Sequence, residues 1–139
     1  MSDIIYYFDR LVLVNDPRQV FVYEGDNDID VGKPTAQVQA QFEAFGRLMK
    51  TKLPGVPVVF LGVKPSLSRW GKAPLYKKFN SWLQDWAASQ DWTFIDTWNL
   101  TLGSDGKPDP RFYERDGLHL NLFGYEKWIP ILEPWLSSL

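Results

Sequence analysis

Three short apolar runs, Gln19 to Tyr23, Pro57 to Val63 and Trp92 to Asp96, are separated by two stretches of helical periodicity, and this alternation limits the folds open to the chain more than any other feature. The first two runs are β-branched and aromatic and apolar on both faces, as expected of strands covered from both sides. Between them, Pro34 and Thr35 start a helix in which Val38, Phe42, Phe45, Leu48 and Met49 follow the 3.6-residue period, and Pro54-Gly55 stops it. Between the second and third runs, Leu75, Phe79, Trp82, Leu83 and Trp86 are placed on one helical face. Each crossover is long enough to return to the same edge, so the pattern predicts a right-handed parallel α/β sheet. Ligands of such sheets sit beyond the carboxyl ends of the strands.

The flanks are helical by the same reasoning. Ser2 to Val14 spaces Ile4, Ile5, Phe8, Leu11 and Val12 as an opening amphipathic helix, capped by Ser2 and ended by Asn15-Asp16-Pro17. Phe123 to Leu136 predicts a last helix that Pro130 and Pro134 bend or split. At 139 residues and 45% hydrophobic, the chain is expected to form one domain over residues 1–139 with an ample core. Fifteen basic residues interspersed with seventeen acidic ones leave no basic stripe, which argues against nucleic acid as a partner. The absence of cysteine excludes disulfides, thiolate nucleophiles and cysteine-ligated metal. With no signal-peptide pattern near the start and no run of membrane-spanning length, the expectation is a cytoplasmic protein with no membrane span.

Chemistry concentrates in three places. His119 is the only histidine, and an imidazole titrating near pH ~6.5 can accept a proton at physiological pH. Asp116, three residues earlier, can fix its tautomer and stabilise the imidazolium; the alternative is a loop histidine held by a local turn that Asp116 starts. Gly25-Asp26-Asn27-Asp28 follows the first strand. The Asn27 amide is a neutral donor for a developing oxyanion, and Gly25 would let the backbone approach substrate; a plain turn is the alternative. A calcium loop built on Asp26, Asp28 and Asp30 fails its pattern at Val31 and Gln37. Lys64-Pro65-Ser66-Leu67-Ser68-Arg69 brings two hydroxyls and two cations to the second strand's end, suited to a polar or anionic substrate group or to ordinary loop structure. Trp70 and Trp98 are candidates for lining a pocket.

Taken together, these residues resemble the SGNH hydrolase family, also called GDSL lipases and esterases. Gly25-Asp26-Asn27-Asp28 is similar to its Gly-x-Asn-Asp block and Asp116-Gly117-Leu118-His119 to its Asp-x-x-His block, in the family's order and strand-then-loop context. The resemblance implies a flavodoxin-like three-layer sandwich with a parallel sheet, and hydrolysis of a small-molecule carboxylic ester with no cofactor and no metal. It implies that His119 is the general base, Asp116 its orienting partner and Asn27 an oxyanion donor. The family's Gly-Asp-Ser block, with its serine nucleophile, and its oxyanion glycine block lie upstream of the part that matches. Ser2 has no Gly-Asp-Ser context, and Ser66 is the internal substitute. An N-terminally truncated fold with about three strands is therefore expected, in which Val20 to Tyr23 becomes an apolar edge. Two chains would pair through it as a homodimer, or the first helix would fold over it. A noncatalytic remnant acting in binding or assembly is the alternative function.

Overall fold

The computed structural model describes residues 1–136 of the 139-residue chain. Its centre is a three-stranded parallel sheet in the order β1 (Val20–Val22), β2 (Val58–Leu61), β3 (Thr93–Ile95). The register pairs Val20 with Val58 and Val22 with Phe60, then Phe60 with Phe94 and Leu61 with Ile95. Both crossovers step in one direction, so the right-handed rule puts their helices on the same face. Helices α4 (Thr35–Lys52) and α5 (Ala73–Ser89) accordingly share one core with the sheet.

Alternation along β2 divides the molecule into layers. Val58 and Phe60 point into the α4/α5 side, with Phe42, Phe45, Phe79 and Leu83; Val59 and Leu61 point into a second cluster with Ile95, Tyr113, Leu120 and Trp128. All four β2 residues are buried, which is why this strand carries no polar alternation. Beyond its end, Asn80 of α5 takes over the pairing: its Oδ1 accepts from the Val63 N–H at 2.8 Å and its Nδ2 donates to the Val63 carbonyl at 2.9 Å. On the second face lie Tyr113 and Leu120 of the loop after β3 and two short helices, α6 (Leu122–Glu126) and α7 (Ile129–Leu136).

Two predicted details differ. The opening segment is not one helix but α1 (Ser2–Tyr6), α2 (Phe8–Leu11) and a 3-10 turn at Leu13–Asn15. Ser2 lies inside α1 and no side chain caps it, while β-branched Ile4, Ile5, Val12 and Val14 weaken a continuous helix. The break at Tyr7 lets Phe8 enter the core against Phe45, with ring centroids 5.9 Å apart. In α5 the buried face is centred on Tyr76, Phe79, Asn80 and Leu83, and Leu75 is 47% exposed. The C-terminal helix does split, between Glu126 and Ile129, with Pro130 in the first turn of α7 and Pro134 within it. Among the described residues no helix is long and apolar enough to cross a membrane.

Candidate active site

The site assembles where loops leave the carboxyl ends of β1 and β2. Asp116 opens a tight turn: its Oδ1 accepts from the N–H groups of Leu118 at 2.8 Å and His119 at 3.0 Å. Gly117 sits in this turn at φ +64, a conformation costly to any residue with a Cβ, and a Cβ there would stand 3.1 Å from that of Leu67. The second carboxylate oxygen, Oδ2, lies 2.6 Å from His119 Nδ1. A carboxylate can only accept, so Nδ1 carries the hydrogen, and in the neutral ring the lone pair is on Nε2. The imidazole is 71% exposed. Its hydrogen bond, followed by the two backbone N–H groups, holds the Asp116 carboxyl down at about 2.

Asn27 is exposed in the first turn of α3 (Asp26–Asp30), a short helix separated from β1 by three residues, in place of the plain turn given as the alternative. Its Oδ1 accepts from Arg69 Nη2 at 3.0 Å. The three aspartates of α3 are all answered by cations. Asp26 pairs with Arg69 at 2.6 Å, Asp30 with Arg69 and Lys72, and Asp28 with Lys33 and the α-amino group of Met1. Although burial opposes its charge, Arg69 is held above its ordinary pKa by Asp26 and Asp30. Tyr76, whose hydroxyl donates to the Asp26 carbonyl, is pushed up to about 12 by burial and by Asp26. Among the described residues no group of three His, Cys, Asp or Glu side chains is arranged to hold a metal ion.

Two expected contributors stand elsewhere. Ser66 is 2% exposed and its hydroxyl is buried without a hydrogen-bond partner, because the chain stays under cover from β2 through residue 66. In this arrangement its hydroxyl is closed off from solvent. Gly25 is also buried: at φ +104 its Cα faces the core, and a Cβ would meet the Phe79 ring at 2.9 Å. Backbone conformation and packing both require glycine there. Trp98 is buried under a stacked Trp70 and lines a cleft of about 410 Å³ with Lys77, Phe94 and Asn99, away from Asn27 and His119.

Sequence reasoning missed Arg69 and Lys64 as partners of these loops, since their contacts cross 42 and 54 residues. Asn121 was within reach of it. An Asn before a helical run is a cap signal, and here Asn121 caps α6 by accepting from Gly124 N–H while donating to the carbonyls of Arg111 and Tyr113.

The GDSL-like lipase/acylhydrolase family model matches residues 4–127. The chain belongs to this family. Solved structures agree on the fold. A GDSL-like lipase from Bacteroides thetaiotaomicron superimposes with a TM-score of 0.81 at 15% identity, over 99% of this chain and 70% of that one. A Streptococcus pneumonia protein provisionally described as a platelet activating factor gives 0.75 at 20% identity, over 85% of this chain and 59% of its own length. An acetyl esterase mutant solved with an acetate ion gives 0.71 at 17% identity, over 96% and 66%. The chain thus spans about three fifths to seven tenths of the length of these solved structures. No curated protein is significantly similar in sequence.

Proposed function

We propose that residues 1–139 form one GDSL-type domain that hydrolyses a small-molecule carboxylic ester, with His119 as general base, Asp116 as its orienting partner and Asn27 as an oxyanion donor. The observation that carries this reading is the 2.6 Å contact of His119 Nδ1 with Asp116 beside an exposed ring. The free Nε2 would take the proton of an attacking hydroxyl as its oxygen adds to the ester carbonyl. The Asn27 amide would donate to the resulting oxyanion, and collapse would return the proton from His119 to the departing alcohol. Among the described residues no serine or threonine hydroxyl is hydrogen-bonded to the His119 ring. The attacking hydroxyl is then water, or a serine that is not hydrogen-bonded to the ring in this arrangement. For assembly, we propose a homodimer that pairs the open edges of Val20 to Tyr23.

Fluorophosphonate treatment of the purified protein, with peptide mapping and His119→Ala as control, tests the reading alongside an aryl acetate assay. A serine labelled in the parent and not in the control identifies the nucleophile. Turnover lost in the control without labelling indicates water attack. A folded protein that shows neither overturns the hydrolase reading in favour of a binding or assembly role.

A further inference from the structure

Lys64 and Arg69 stand at the two ends of one loop, and each reaches a different half of the candidate site. Lys64 is 8% exposed; its Nζ donates to the Leu118 carbonyl at 2.6 Å and lies 5.9 Å from the centre of the Tyr113 ring. That carbonyl belongs to the residue immediately before His119. Burial lowers the ammonium's pKa against the pull of Asp26 and Asp116. A methionine would fill the same space with no charge to desolvate, and the hydrogen bond that the ammonium makes in return is to the Leu118 carbonyl. The loop is itself fixed. The Ser68 N–H donates to the Gly117 carbonyl at 3.1 Å, and the Tyr113 hydroxyl donates to the Pro65 carbonyl at 2.8 Å.

At the other end, Arg69 binds Asp26, Asn27 and Asp30 at 2.6, 3.0 and 3.1 Å, with its side chain 14% exposed. A guanidinium has donors only. The oxygen of the Asn27 amide must therefore face Arg69, which turns the NH₂ group, the end able to stabilise an oxyanion, away from it.

We propose that Lys64 and Arg69 are positioning residues of this site: Lys64 holds the His119 turn through the Leu118 carbonyl, and Arg69 sets which end of the Asn27 amide is presented. One rigid loop beyond the central strand thereby keeps base and oxyanion donor in register. The proposal rests on the roles given above to His119 and Asn27, and its test reads geometry rather than turnover, so the two can fail separately.

Because the chain has a single histidine, long-range ¹⁵N–¹H spectra of the neutral ring report His119 alone. The wild-type protein is expected to show the Nδ1-protonated tautomer. Lys64→Met, with its fold checked by circular dichroism, is expected to show both tautomers as the ring leaves Asp116, while the Asn27 side-chain amide signals stay in place. Arg69→Gln is expected to shift and broaden the Asn27 amide pair and leave the His119 tautomer alone. Arg69→Lys should not restore that pair, because one ammonium cannot span the three acceptors. A folded variant whose own reporter is unchanged overturns that residue's role. Should Lys64→Met not fold, Lys64→Gln, shorter by one atom and uncharged, is read in its place. Without any variant, NOEs from the Lys64 Hε protons to Leu118 and from the Arg69 Hδ protons to the Asn27 amide are expected, and their absence overturns the proposal. Reporters that move as expected in a protein with no ester turnover leave the positioning intact and remove the hydrolase reading.

Discussion

Both carboxylate oxygens of Asp116 are engaged, one by two backbone N–H groups and one by the His119 ring, so the residue organises a turn as well as a base. Its folded pKa, about 2, lies below the ordinary 3.8. A depressed carboxylate contributes stability that is fully present above the ordinary value and is lost as pH falls through the folded one. Wild-type urea midpoints are therefore expected to drop between pH 4 and pH 2 by more than those of Asp116→Asn. Equal drops would show that the turn does not favour the ionised form. The same substitution removes the charge opposite the imidazolium, and in an active protein kcat should fall on the order of 10³-fold or more with little change in KM. Gly25→Ala forces a Cβ into the Phe79 ring at a φ that L-residues avoid, and is expected to cost about 2–3 kcal/mol in urea denaturation. The Asp116–His119 pair was legible in the sequence because its geometry is local, three residues within one turn. Arg69 facing Asn27 was not, since no short-range pattern records a contact made by folding two strands side by side. Ser66 misled for a related reason: a serine after a strand reads as loop, but burial here continues past the last sheet hydrogen bond.

At the scale of elements, the strands and long helices were legible because each has one dominant signal, a doubly apolar run or a 3.6-residue stripe. Errors fell where a choice among apolar neighbours depended on the partner surface. Leu75 and Tyr76 both fit the α5 stripe, and Tyr76 is the buried one because its ring packs inward while its hydroxyl reaches the Asp26 carbonyl. The opening helix failed for want of a cap and an adequate stripe, leaving Tyr6 80% exposed. The central strand makes the strongest demand on packing. Phe60 is fully buried, with the rings of Phe42, Phe45, Trp86 and Trp92 around it at 5.4 to 6.3 Å. Phe60→Ala is expected to cost about 3–5 kcal/mol, read as a lower urea midpoint. Asn80→Ala removes less volume but leaves the N–H and carbonyl of Val63 unpaired in the interior. About 2 kcal/mol or more is expected from it, and a neutral result would mean that water reaches the end of β2.

The whole molecule is shaped by two crossovers that step the same way. They place both long helices on one face and leave β1 at the end of the sheet. Val20 directs its N–H to the Pro57 carbonyl, on the β2 side. Backbone groups of successive strand residues point to opposite edges, so the N–H and carbonyl of Phe21 face away from β2. The nearest cover is the opening segment, but between Ile4, Leu11 and Val12 and the strand a cleft of about 260 Å³ remains. An apolar edge left this open favours addition of another strand. If that strand is the same edge of a second copy, a two-fold axis makes the pairing antiparallel and brings the two Phe21 residues close to it. Sedimentation is then expected to show a dimer that grows with concentration, and the Phe21 amide should exchange more slowly as the dimer fills. A monomer at every concentration with a slowly exchanging Phe21 would assign the cover to the opening helices instead. A monomer in which Val20 to Tyr23 exchange fast would leave the edge bare and rule out both arrangements.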